Sequence, residues 1–261
     1  MNQTSLTPIH DYHWQNIRLI ATDMDGTLTQ LEKFDAKLFE ILNRLAAAGI
    51  NVLVTTGRSA GWVQAIATYL PIVGAMAENG GLIYWNKDSR PRLIDEIDII
   101  EHRSQLARVF KLLKRKYPQL EESADNPFRI TDWTFEVENL SPAELEQIEG
   151  LCRAQGYGFT YSTIQCHIKP IEQDKAYGLK KIIPQYFSHL KPTEIITIGD
   201  SPNDESIFNQ AEFRLSVGVA NVVKYCDLLK YLPAYVTSKS EGAGFYELAE
   251  LILDARISAN G

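Results

Sequence analysis

From Ile17 to Met76 the sequence alternates short apolar runs with stretches of helical periodicity, and the same alternation returns from Asp174 onward. That rhythm is the signature of a parallel sheet covered by helices, and it leaves few other architectures open. The first stretch reads as strand 17–22, helix 35–48, strand 50–55, helix 59–70 and strand 72–76. In its first helix Leu38, Ile41, Leu42, Leu45 and Ala46 fall at helical spacing, and Gly49 stands where a C-terminal cap belongs. The second stretch reads as helix 174–187, strand 194–198, helix 203–210, strand 213–217, helix 221–230, a short strand near Tyr235 and helix 243–255.

Between the two the rhythm changes. A charged stretch from Asn86 to Arg92 leads to a helix from about Arg103 to Tyr117, then to extended patterning from Phe128 to Glu138. Ser141-Pro142-Ala143-Glu144 opens another helix, with Ser as N-cap, Pro at the first helical position and Glu three residues after the Ser. Strands 158–162 and 165–169 follow. This order predicts an α+β module with an antiparallel sheet. The expected fold is therefore α/β: a doubly wound, Rossmann-like parallel-sheet core built from residues 17–85 and 170–261, with a cap inserted at 86–169. Residues 1–16 read as a mobile polar extension, and His10 and His13 within it receive no role.

Asp23-Met24-Asp25-Gly26-Thr27 follows the first core strand, so two carboxylates two positions apart gather at the C-terminal edge of the sheet, where open α/β folds bind ligands. Three further motifs follow in order: Val52-Leu53-Val54-Thr55-Thr56-Gly57-Arg58, a helix opened by Lys175, and Gly199-Asp200-Ser201-Pro202-Asn203-Asp204 after an apolar strand. Together they resemble the haloacid dehalogenase superfamily of phosphotransferases over nearly the whole chain. Ala77-Glu78-Asn79-Gly80-Gly81-Leu82-Ile83-Tyr84 and the long insert resemble its subgroup with a large α/β cap (type IIB), which includes many sugar-phosphate phosphatases. Ala176 stands where that family often has Gly after the lysine.

A phosphate monoester is a dianion, and a carboxylate needs a cation to approach it. Asp23 and Asp200, with Asp204 nearby, offer the oxygen ligands Mg²⁺ prefers, and no His-rich or Cys-rich set suits zinc. The resemblance adds the main-chain carbonyl of Asp25 as a further ligand. Asp23 is the expected nucleophile, forming an aspartyl-phosphate, and Asp25 the acid and base. Thr56 and Lys175 would balance charge on the phosphoryl oxygens. Gly57, Arg58, Asn79 and Asn203 are expected to line the substrate site from core loops. His167 and Lys169, two apart on the last cap strand, share a face and could reach substrate. Arg129, Asp132 and Trp133 form a weaker set that could contact a sugar.

A net charge of −7 and the absence of a basic stripe interleaved with aromatics argue against nucleic acid as a partner. Lys111-Leu112-Leu113-Lys114-Arg115-Lys116 ends a helix, where cations complement the dipole. No apolar run reaches membrane-spanning length, so a cytoplasmic location follows by default, and no sequence feature speaks to oligomeric state. The odd, widely spaced Cys152, Cys166 and Cys226 read as structural thiols. The expectation is a Mg²⁺-dependent phosphatase of a small phosphorylated metabolite, such as a sugar phosphate or related phosphoglycoside. Its alternatives are a phosphomutase, which would need extra cations in the cap, and a noncatalytic phosphate-binding regulator. A phosphonatase would need a Schiff-base lysine in the cap, and none recommends itself.

Overall fold

A computed structural model describes residues 6–88, 90–138, 140–162 and 165–260. The chain runs β1 (Thr7–Pro8), β2 (Leu19–Thr22), α1 (Ala36–Ala47), β3 (Asn51–Thr55), α2 (Ala60–Tyr69), β4 (Gly74–Ala77), β5 (Leu82–Trp85) and β6 (Arg92–Leu93). It continues through α3 (Ile99–Lys116), β7 (Trp133–Glu136), α4 (Pro142–Ala154), β8 (Gly158–Tyr161), β9 (Gln165–Lys169) and α5 (Lys175–Tyr186). Then come β10 (Ile195–Gly199), α6 (Glu205–Phe208), β11 (Leu215–Gly218), β12 (Tyr235–Val236) and α7 (Glu241–Asn260). Among the described residues one sheet has the strand order β1-β12-β11-β10-β2-β3-β4-β5-β6 and a second has the order β7-β9-β8.

The large sheet is parallel from β1 through β4, and β5 and β6 run antiparallel. Both faces are buried, which is why its strands read as continuous apolar runs. Ile20, Val52 and Val54 point into a core built against α1, α2 and α7, while Leu19, Ala21 and Leu53 point into another built against α5 and α6. The antiparallel sheet has its own core, with Leu106, Phe110, Phe135, Ile148, Cys152 and Ile168. Burial pushes the Cys152 thiol up to about 12, in keeping with an inert structural thiol. Among the described residues no helix is long and apolar enough to cross a membrane.

Four local expectations need correction. The N-terminal stretch is no mobile extension from residue 7 onward: Thr7–Pro8 pairs with Tyr235–Val236 at the sheet edge, and Ile9 and Trp14 are fully buried. Trp14 Nε1 donates to the Ile9 carbonyl, and its ring packs against Tyr12 and Tyr235. The large sheet also extends past residue 85, because Arg92–Leu93 pairs with β5. The helix expected from Arg103 begins at Ile99, where Asp98 accepts from Ile100 and Glu101 N–H groups as N-cap. The helices expected at 203–210 and 221–230 are short 3₁₀ and α turns, Pro202–Asp204, Glu205–Phe208 and Ala220–Tyr225. Tight turns there keep Asp204 and Asn221 close to the end of β10, as their hydrogen bonds require.

Candidate active site

β10, β2 and β3 are neighbours in the sheet, so the loops after them meet at one edge. Asp23 follows β2, Thr56 follows β3 and Asp200 follows β10. Asp23, Asp200 and Asp204 are buried and can each offer an oxygen within 4.8 Å of the others. Gly26 makes the approach possible: its φ is +79°, and a Cβ there would stand 2.6 Å from Asp200 Oδ2. Lys175, at the N-terminus of α5 and 0% exposed, donates to Asp23 Oδ1 at 2.5 Å and to Asp204 Oδ1 at 2.6 Å. Asp204 is anchored from behind, its Oδ2 accepting from the N–H groups of Asp200 (2.9 Å) and Ser201 (3.1 Å).

The electrostatics follow from this crowding. Burial, with Asp204 close by, pushes Asp23 up to about 7, against the pull of Lys175. Burial and the neighbouring Asp23 and Asp204 also raise Asp200 well above its ordinary value. Burial works against charge on Lys175, but Asp204 and Asp23 outweigh it and hold its pKa above the ordinary value. The donor set is three carboxylates without Cys or His, which fits a hard divalent cation such as Mg²⁺ and not a soft metal.

Asp25 is half-buried and paired bidentately with Arg58, at 2.9 Å from Nε and 2.7 Å from Nη2. Hydrogen bonding to Asp25 raises the Arg58 pKa. Thr56 Oγ1 accepts from the Arg58 N–H at 3.1 Å. Asn203 Nδ2 donates to Asn79 Oδ1 at 3.2 Å. A cavity of about 20 Å³ lies over these groups, lined by Asp23, Asp25, Thr56, Gly57, Arg58, Ser201 and Asn203 from the core and by Ser162, Gln165 and His167 from the inserted module.

Thus Asp23, Asp25, Thr56, Gly57, Arg58, Lys175, Asp200, Asn203 and Asp204 come together at the sheet edge, with Asn79 bonded to Asn203 just behind the cavity lining. His167 joins them from the inserted module. Lys169 does not: it lies at the joint, donating to the Gln173 carbonyl, and burial lowers its pKa. Arg129 and Trp133 also fail to reach the cavity. The Arg129 side chain is fully buried between Asp125 and Asp132 and donates to the Gly57 carbonyl at 3.0 Å, while Trp133 stacks under Arg103.

Sequence reading assigns no role to Asn221 or Glu78, because each acts on residues distant in the chain. Asn221 Nδ2 donates to Asp200 Oδ2 at 2.7 Å, and its Oδ1 accepts from the Glu241 N–H at 2.9 Å. Glu78, 0% exposed, joins core to insert by accepting from the N–H groups of Ala60, Ile130 and Thr131 and from the Thr131 hydroxyl. Burial and nearby Asp132 push Glu78 up to about 7, while Arg129 and the N–H donors favour the carboxylate. Both oxygens accept N–H groups, so an amide would turn its NH₂ against donors. Glu78→Gln is therefore expected to cost about 2–3 kcal/mol, read as a lowered urea midpoint at unchanged slope.

The family model of the haloacid dehalogenase-like hydrolases matches residues 20–117 and 101–245. Among curated relatives, phosphoglycolate phosphatase 1 of Saccharolobus solfataricus is 27% identical over 243 residues, covering 91% of this chain and 96% of the relative. Among solved structures, a Thermoplasma acidophilum protein superposes with a TM-score of 0.73 at 22% identity, covering 92% of this chain and 99% of its own. The C-terminal domain of C. albicans trehalose-6-phosphate phosphatase superposes with a TM-score of 0.71 at 15% identity, covering 97% and 99%. Both superpositions bear on the fold.

Proposed function

We propose that this chain, which belongs to the haloacid dehalogenase-like hydrolase family and is a phosphatase, hydrolyses a small phosphorylated metabolite with Mg²⁺ through an aspartyl-phosphate on Asp23. The observation that carries the reading is the convergence of Asp23, Asp200 and Asp204 around the buried Lys175. Asp23, Asp200 and Asp204 would hold Mg²⁺, with the Asp25 carbonyl as the family resemblance implies. When bound, the ion would offset the negative charge of the phosphate and of the carboxylates around it.

The remaining chemistry belongs to the chain. Lys175 fixes one oxygen of Asp23, and the other attacks phosphorus as the bond to the leaving oxygen breaks. Asp25 gives that oxygen its proton, then takes one from the water that cleaves the Asp23–phosphoryl bond, releasing phosphate and restoring Asp23. Arg58 pairs with Asp25 in the resting enzyme. Its transfer to an incoming phosphate would free Asp25 to hold a proton, while Thr56 donates to the phosphoryl oxygens. The cavity has room for about one water and none for a phosphate ester, so the inserted module must open to admit substrate and close to exclude solvent.

The test is phosphate release from sugar phosphates, polyol phosphates, phosphoglycolate and nucleotides, with Mg²⁺ or with excess EDTA. Release from at least one ester, lost in EDTA and restored by Mg²⁺, is expected. Release that persists in EDTA would contradict the metal requirement. No release from any ester, with Mg²⁺ binding intact, would favour a mutase or a noncatalytic protein.

A further inference from the structure

In the carboxylate cluster the chain itself already occupies one or both oxygens of every member. Lys175 donates to Asp23 Oδ1 and to Asp204 Oδ1. Asp204 Oδ2 accepts from the N–H groups of Asp200 and Ser201. Asp200 Oδ2 accepts from Asn221 Nδ2 at 2.7 Å, whereas its Oδ1 has only the Thr27 hydroxyl at 3.4 Å, a long and weak bond. None of the three can therefore turn both oxygens to a cation without breaking a hydrogen bond.

The hold on Asp200 is the most elaborate. Asn221 lies in the turn Ala220–Tyr225 that follows β11, and all of its amide is used. Nδ2 donates to Asp200 Oδ2 and, at 3.1 Å, to the Gly26 carbonyl, while Oδ1 accepts from the Glu241 N–H at 2.9 Å. Turning the amide over would set its oxygen against a carboxylate and its NH₂ against an N–H, so its direction is fixed. Glu241 is itself pinned. Its φ of +54° is rare for a residue with a side chain, and its carboxylate accepts from Gln30 Nε2 and from the Leu31 N–H, each at 2.9 Å. Gly26 closes in from another direction, since a Cβ there would stand 2.6 Å from Asp200 Oδ2. Oδ2 is thus enclosed by an amide and an α-carbon, and Oδ1 is the oxygen left for an ion.

That restriction matters to some cations more than to others. Mg²⁺ is small and keeps several waters beside one or two carboxylates, whereas Ca²⁺ gathers six to eight oxygens and often takes both from one carboxylate. Asp23 and Asp204 are restrained by the buried Lys175 and by main-chain N–H groups, so Asp200 is the member whose second oxygen depends on one replaceable side chain. A cleft of about 230 Å³, lined by Asp25, Gly26, Asp200, Asn221, Lys224 and Glu241 among others, adjoins that side chain. It has room for several waters, so without the amide Asp200 would turn in hydrated surroundings and would not be stranded.

We propose that Asn221 is a positioning residue that sets cation selectivity: by holding Oδ2 it limits Asp200 to one ligand oxygen and so favours Mg²⁺ over Ca²⁺. This rests on the Mg²⁺ reading above and deepens it.

The test is calorimetric titration of Mg²⁺ and, separately, of Ca²⁺ into metal-free wild type, Asn221→Ala and Asn221→Ser. The Kd for Ca²⁺ divided by the Kd for Mg²⁺ is expected to fall by about 10-fold in Asn221→Ala. It should fall less in Asn221→Ser, whose hydroxyl can still donate to Asp200 through a water. A residue that only supports the fold would weaken both cations alike and leave the ratio where it was. Ca²⁺ added to the Mg²⁺-loaded enzyme should correspondingly inhibit release from p-nitrophenyl phosphate at lower concentration in the variants than in wild type. A ratio changed by less than about threefold in Asn221→Ala would overturn the inference, and where that variant does not fold an unchanged ratio in Asn221→Ser would do so. Wild type that binds Mg²⁺, with the ratio unmoved by substitution, overturns this inference alone. Wild type that binds neither cation overturns the Mg²⁺ reading as well.

Discussion

Asp23→Asn is expected to lower phosphate release by at least about 10³-fold while leaving the protein as stable as wild type or more so. The substitution is nearly isosteric and keeps an oxygen for Lys175, so the local hydrogen bond at 2.5 Å has a successor. What disappears is the negative charge of a nucleophile. That charge is also unfavourable to folding: burial and Asp204 raise the Asp23 pKa from 3.8 to about 7. With the folded pKa above the unfolded one, the cost of ionising Asp23 grows as pH rises from about 4 to 7 and is fully present above 7. The amide avoids it. Activity and thermal melting at pH 8 should therefore move in opposite directions, which a residue important only for the fold would not do. Loss of both together would mean that Asp23 supports structure and not chemistry.

Lys175→Met should damage both properties. Lys175 is 0% exposed and donates to two of the three clustered carboxylates, so its removal leaves Asp23 and Asp204 facing each other without that cation. Breaking a buried pair by removing one partner costs about 3–5 kcal/mol, and the loss should appear as a lowered urea midpoint. Phosphate release should fall by about 10³-fold, since charge developing on the phosphoryl oxygens loses a fixed partner. Millimolar Mg²⁺ should raise the melting temperature of the variant more than that of wild type, because the ion would offset the same repulsion. Lys175→Arg should not rescue activity, as a planar guanidinium has no room at a fully buried position. A variant as stable as wild type would contradict the electrostatic account of the cluster.

The residues that could be read from sequence are those whose placement is local. Asp23 and Asp200 sit directly after apolar strands, and Lys175 opens a helix, so their positions at the sheet edge follow once those strands are parallel neighbours. The missing features depend on partners far along the chain. Ile9 and Trp14 look like isolated apolar residues in a polar leader, and only pairing of Thr7–Pro8 with residues 235–236 reveals them as core. Glu78 is meaningful only against residues 130–131, and Asn221 only against Asp200. Arg129 illustrates the converse error. Its charge suggests a ligand contact, yet the fold buries it between two aspartates, where it supports His167 through Asp132. Lys169 shares the expected strand face with His167, but two residues along β9 is far enough to move it from the cavity to the joint with Gln173.

The central claim is a covalent phosphoryl group on Asp23, and the stereochemical course at phosphorus tests it most directly. A p-nitrophenyl phosphate made chiral with three oxygen isotopes would be turned over with Mg²⁺ in the presence of a diol acceptor, and the configuration of the diol phosphate determined. Two successive in-line displacements, one by Asp23 and one by the acceptor, predict overall retention. Inversion would show a single direct displacement and contradict an aspartyl-phosphate intermediate.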